Sequence, residues 1–97
     1  MKQYLLAPQA RRDIVDIGEY IARDNPEAAD RMVARFDDAF EFLSRHTRTG
    51  QSRDDLVSGM KLFPVGRYVI AFRPTTGECT VEILRVVHGA RDLKRLF

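Results

Sequence analysis

A single cysteine, Cys79, is all that this 97-residue chain contains. No intramolecular disulfide can form, so a reducing, cytoplasmic setting is expected. Cys79 reads as a small apolar side chain packed in a strand. Histidine is nearly as scarce. His46 and His88 stand alone, without a Cys/His cluster at metal-ligand spacing, so neither a metal nor a cofactor is expected. Long apolar runs are missing as well. Nothing approaches the roughly 18 apolar residues of a membrane span, and Tyr4-Leu5-Leu6-Ala7 is too short for a secretion signal. With no repeat or Gly/Ser-rich linker, residues 1–97 are expected to form one domain.

What is present describes an ordinary globular chain, 44% apolar and 31% charged. A chain this short buries only about 60–65% of the surface its unfolded form exposes. Its own stability is then modest, and a bound partner adds to it by mass action. Basic residues number 16 against 14 acidic ones, and arginine dominates them. From residue 85 to the end, Arg85, Arg91, Lys94 and Arg95 face Asp92 alone. Such an arginine-bearing end is suited to reading phosphates or carboxylates. A solvated tail accounts for it nearly as well.

Residues 2–6 read as a short strand, and Pro8 suits the first turn of a helix. Ala10, Ile14, Ile17 and Ile21 keep the spacing of one helical face, ending near Asp24. Asn25-Pro26 restarts the chain with a capping side chain and a proline at the first helical position. Ala29, Met32, Phe36, Ala39, Phe40 and Leu43 then form one stripe, ending around Arg45-His46. So short a connection predicts an antiparallel helical hairpin. After the polar residues 47–57 come three strand candidates. These are Gly59 to Phe63, closed by the turn Pro64-Val65-Gly66, then Arg67 to Arg73, then Cys79 to Val87. A short helix is expected from Ala90 to Phe97. The fold class is therefore α+β: an N-terminal strand, a helical hairpin, a three-stranded antiparallel meander and a short C-terminal helix.

Alternation in the middle strand turns Tyr68, Ile70 and Phe72 toward a core and leaves Arg67, Val69, Ala71 and Arg73 on an open face. Tyr20 and Phe42 each fall about 120° from the centre of their helix's apolar stripe. Either they flank a groove for an amphipathic partner segment, or they pack on each other across the hairpin.

The pattern Ala10…Asp13-Ile14…Ile17…Tyr20-Ile21-Ala22…Pro26…Ala29 resembles the helical hairpin of the ParE/RelE toxin superfamily. Gly66-Arg67-Tyr68-Val69-Ile70-Ala71-Phe72-Arg73 resembles its middle strand, and the run from Glu82 to Leu93 is similar to the ending of the ParE branch. The resemblance implies the toxin of a type II toxin–antitoxin pair, held inactive by a wrapping antitoxin. ParE-branch members act on DNA gyrase and trap its cleaved-DNA intermediate. RelE-branch members cut messenger RNA on the ribosome, without a metal.

RNA cleavage needs a base, an acid and cations against the phosphate. RelE-type ribonucleases place an arginine directly after the middle-strand tyrosine, where this chain has Val69. Their preceding strand is basic, where this chain offers Lys61, and they use a tyrosine near the C-terminus, where this chain has none beyond Tyr68. These departures favour a non-enzymatic, gyrase-binding toxin. The expected target-binding residues are Arg85, His88, Arg91, Lys94 and Arg95, followed by Arg67 and Arg73. Should the chain be a ribonuclease instead, His88 and Arg85 are the catalytic candidates, although strand parity sets them on opposite faces unless a bulge intervenes. His88 equally reads as a hydrogen-bonded structural residue, and Asp92 as a helix cap. Val15, Tyr20 and Phe42 are the expected antitoxin contacts.

Overall fold

The computed structural model describes residues 3–97; Lys2, the expected start of the first strand, lies outside them. In chain order the elements are β1 (Tyr4–Leu6), α1 (Pro8–Ala22), α2 (Pro26–Arg45), β2 (Gln51–Ser52), β3 (Lys61–Val65), β4 (Tyr68–Pro74), β5 (Val81–His88) and a 3-10 turn at Leu93–Arg95. No helix among the described residues is long and apolar enough to cross a membrane.

The hairpin forms where the spacing places it. Both helices begin with proline, whose fixed φ is already helical. The Asn25 side chain accepts the Ala28 N–H at 3.1 Å, a cap that contributes about 1 kcal/mol. Glu27 in the first turn of α2 and Arg45 in its last complement the helix dipole. The α2 stripe buries Phe36, Phe40 and Leu43 completely against Ile70 and Phe72 of β4 and Val81 and Ile83 of β5. Each such side chain stabilises the fold by on the order of 2–3 kcal/mol. Ala10 is fully buried on α1, with Ile14 and Ile17 packed on the same core.

The sheet is larger than a meander of three strands. Its order is β1-β5-β4-β3-β2, with β1 parallel to β5 and the other neighbours antiparallel. Two elements make the difference. The N-terminal strand joins the edge of β5, and Gln51–Ser52, within the expected polar connection, pairs with Leu62 and Lys61. The expected turn at Pro64-Val65-Gly66 also shifts. Pro64 lies inside β3 opposite Val69, and the reversal occurs at Gly66-Arg67, between the paired Val65 and Tyr68. Proline is tolerated there because β2 ends opposite Leu62, so no second strand needs its missing N–H. Gly66, at φ +59°, supplies the left-handed residue of the tight hairpin.

The C-terminal helix expected over Ala90 to Phe97 is reduced to one 3-10 turn, which Asp92 caps by accepting the Lys94 N–H at 3.1 Å. Ala71, expected on an open face, is fully buried. Beside it the register of β4 and β5 slips. Ala71 lies opposite Arg85 but Phe72 opposite Ile83, which leaves Leu84 unopposed. That bulge inverts the parity of β5. Val81 and Ile83 are buried before it, and Val86 after it.

Candidate functional site

β1 stops at Leu6, and beyond Ile83 the last strand has a strand neighbour only on its β4 side. The helix α1 takes the vacated place, and Asp13 does the work of a strand. Its Oδ2 accepts the Val86 N–H at 2.9 Å. The same carboxylate accepts Arg85 Nε at 2.8 Å and a second guanidinium nitrogen at 3.1 Å, and Gln9 Nε2 donates to it at 3.0 Å. Burial pushes the Asp13 carboxyl up, but the hydrogen bonds from Arg85, Val86 and Gln9 outweigh burial and hold it below its ordinary value. Arg85 is thus drawn into a largely buried pair with α1.

The bulge brings His88 to the face that carries Tyr68. The two are paired across β4 and β5, and their rings meet edge to face at 5.7 Å. Between them and α1 opens a cleft of about 400 Å³ lined by Asp16, Ile17, Tyr20, Tyr68, His88 and Arg91, among others. His88 Nδ1 accepts the Ala90 N–H at 3.1 Å. In the neutral ring the proton therefore sits on Nε2, and Nδ1 has no lone pair left for a substrate.

The tail turns immediately after this strand. The Arg91 N–H donates to the His88 carbonyl at 3.0 Å, and the Gly89 N–H donates to the Arg67 carbonyl at 2.8 Å. Arg67, His88, Arg91, Lys94 and Arg95 are all exposed, the first three around the end of β5. Arg95 lies 3.7 Å from Asp92, a solvent-exposed pair worth little. The Asp55 carboxyl is held below its ordinary value, chiefly by its hydrogen bond from Arg53, with Lys94 adding to the effect. The tail therefore runs near the 53–57 loop. Arg73 is elsewhere, at the far end of β4, where it pairs with Glu82 at 2.9 Å.

The three expected antitoxin contacts lie on separate surfaces. Val15, 53% exposed, borders an apolar groove of about 400 Å³ between α1 and α2, with Gly18, Ala22, Ala29 and Val33. Tyr20, 68% exposed, opens onto the cleft beside His88. Phe42 packs instead on His46 and Phe63, with centroids at 4.5 and 5.7 Å, so the reading of a Tyr20–Phe42 contact across the hairpin does not hold. Sequence reasoning quoted Asp13 only within the family pattern and gave it no role, although its signal was a carboxylate three residues after Ala10 on the buried face. It also read no role for the small residues Gly18 and Ala22, one turn apart, which let the groove form.

Residues 4–93 match the family described as the ParE toxin of type II toxin–antitoxin systems, parDE. The chain belongs to the ParE toxin family. Toxin ParE1 of Mycobacterium tuberculosis is 26% identical over 94 residues, spanning 96% of this chain and 95% of that one. The putative toxin Y4kP of Sinorhizobium fredii is 35% identical over 82 residues, or 84% and 81% of the two chains. Among solved structures, the chromosomal ParDE system of P. aeruginosa shares the fold, with a TM-score of 0.71 at 22% identity over 91% of this chain and 96% of that one. The RelBE2 toxin–antitoxin complex of Mycobacterium tuberculosis follows with a TM-score of 0.58 at 28% identity, covering 90% and 96%. In this ParE-family chain the match runs from the first residue of β1 to Leu93, so it includes Asp13, Arg85 and His88 and ends before Lys94 and Arg95.

Proposed function

We propose that this ParE-family protein is a cytoplasmic toxin that binds DNA gyrase, holds its cleaved-DNA complex and is neutralised by a cognate antitoxin. The observation that carries the reading is how the cations are divided. Arg85 is taken up by Asp13, whereas Arg67, His88 and Arg91 remain exposed around the end of β5 and Lys94 and Arg95 remain exposed on the tail that follows. Cleavage of RNA requires a base and cations converging on one phosphate. Here the first candidate cation is engaged, and the candidate base has its free nitrogen occupied by Ala90. A set of exposed charges on an irregular tail suits recognition of another macromolecule. Arg67, His88, Arg91, Lys94 and Arg95 are the contacts in this reading. Arg73 and Arg85 act through the strands they fix.

The antitoxin reading is supported by the two solved relatives, described as toxin–antitoxin systems or complexes. It is also supported by the groove between α1 and α2, whose apolar floor fits the apolar face of a partner helix. Val15 borders that groove, and Tyr20 stands on the other side of α1.

The likeness to the RelBE2 complex favours a second reading, a ribosome-dependent and metal-independent messenger RNA endonuclease acting through His88. One pair of assays separates the two. In the first reading, purified protein inhibits supercoiling by gyrase and accumulates cleaved DNA, while ribosome-bound message stays intact. Message cleavage with unimpaired supercoiling establishes the second. Neither activity, together with harmless expression in the absence of the antitoxin, means a toxin-like binding module.

A further inference from the structure

At the C-terminal end of α2 lies a further surface, of which only Phe42 enters the expected antitoxin contacts. Residues 42–53 contain no carboxylate, and they carry Arg45, His46, Arg48 and Arg53. Of these, Arg53 is engaged with Asp55 at 3.0 Å. Arg45 is 67% exposed and lies 4.0 Å from Glu41, at the limit of an ion pair. Arg48 is exposed. The segment from Arg45 to Thr49 lines an open depression of about 390 Å³.

Three rings touch one after another, and the last of them, His46, lines that depression. Phe63 of β3 and Phe42 of α2 lie with planes 29° apart, and His46 continues the row at 33° from Phe42. Phe63 packs on the core and anchors the row, while Phe42 is 41% exposed and His46 is exposed at its outer end. Lys61 sits two residues from Phe63 on the same face of β3. Asp54 is bonded to Ser52, the strand partner of Lys61, and the C-terminal end of α2 carries about half a negative charge; Arg45, Arg48 and Lys61 together exceed both, even with Glu41 counted.

A chain of three rings in contact, ending in solvent and flanked by guanidinium groups, has the chemistry that holds unpaired nucleotides. Rings stack on bases of any sequence, and the cations track the phosphates. We infer that the Phe63–Phe42–His46 row with Arg45, Arg48 and Lys61 binds single-stranded nucleic acid. Duplex DNA offers no exposed base face, so the surface discriminates against it.

The test uses the full-length chain and a fluorescently labelled oligothymidylate of about twelve nucleotides, within the span one small domain covers, followed by fluorescence anisotropy at low salt. Phe42→Ala and His46→Ala are each expected to weaken binding about tenfold. Arg48→Glu weakens it further and flattens its salt dependence. The exposed positions His46 and Arg48 keep the test valid should Phe42→Ala perturb folding. A combined Arg91→Ala, Lys94→Ala and Arg95→Ala variant is expected to bind as well as the parent. Parallel measurements with oligouridylate show whether DNA or RNA is preferred, and either preference supports the site. Absence of binding, equal binding of a duplex, indifference to His46→Ala and Arg48→Glu, or loss confined to the tail variant overturns it. Because gyrase takes no part in this measurement, its failure leaves the toxin reading standing.

Discussion

Asp13 of α1 and Arg85 of β5, 72 positions apart in the chain, meet in a two-point pair at 2.8 and 3.1 Å. The same carboxylate accepts the Val86 backbone N–H, so one side chain closes the open edge of a strand and fixes a bulge.

Removing that carboxylate should be severe. Asp13→Ala leaves Arg85 and the Val86 N–H without their partner in a mostly buried place. Breaking a buried pair from one side costs about 3–5 kcal/mol. Urea melts should show a loss of this order, and the double substitution Asp13→Leu with Arg85→Met should recover part of it. A change under about 1 kcal/mol would mean that the pair does not hold α1 to β5.

The same pair sets a pH dependence. The folded pKa of Asp13 lies below its ordinary value of 3.8, so its contribution is complete above that value and is lost as pH falls through the folded pKa. Stability should therefore decline in acid, from about pH 4 downward. Asp13→Asn should be less stable than the parent at neutral pH, and the gap should narrow in acid. A gap that stays constant from pH 7 to pH 2, followed by thermal melts, contradicts the assignment.

His88→Ala distinguishes a contact from a catalyst. The side chain is exposed, and its ring edge touches Tyr68, so folding should be little changed. Under the gyrase proposal, loss of one surface contact lowers inhibition by several-fold, whereas under the ribonuclease reading loss of a general base lowers turnover by about 10²–10⁴. A dose–response curve for supercoiling, alongside a message-cleavage assay, reads both.

Val15→Glu addresses the groove. Half-exposed Val15 tolerates the change with a stability effect within about 0.5 kcal/mol. The buried charge should weaken antitoxin binding by at least about tenfold while leaving the proposed gyrase inhibition intact. Calorimetric titration of the antitoxin into the variant provides the measurement, and unaltered affinity places the antitoxin elsewhere.

Gly50→Ala tests the edge of the sheet. Gly50 holds φ at +100°, and a Cβ there would meet the Leu62 carbonyl oxygen at 2.6 Å. Both the conformation and the contact exclude a side chain. Destabilisation of about 2 kcal/mol or more is expected, measured by the same urea melts.

The helical hairpin was legible because its signals are local. Proline at each helix start, the Asn25 cap and the apolar stripe from Ala29 to Leu43 all act within a few turns. The composition of the tail was equally plain, and the family resemblance rested on consecutive residues. Pairing partners were another matter. Nothing near Tyr4 says that it lies beside Val81, and the two-residue strand β2 has no periodicity of its own to read.

By itself, then, the sequence determined the two helices, the three long strands and the arginine-bearing end, because propensity, capping and alternation are short-range effects. Tertiary structure alone decided which arginines are free. Whether Arg85 faces a target or a carboxylate depends on where α1 lands after β1 stops at Leu6, and on one unopposed residue, Leu84, that reverses the faces of the last strand. A long-range ion pair and a change of register are set by the packing of elements far apart in the chain, and no local pattern of residues encodes them.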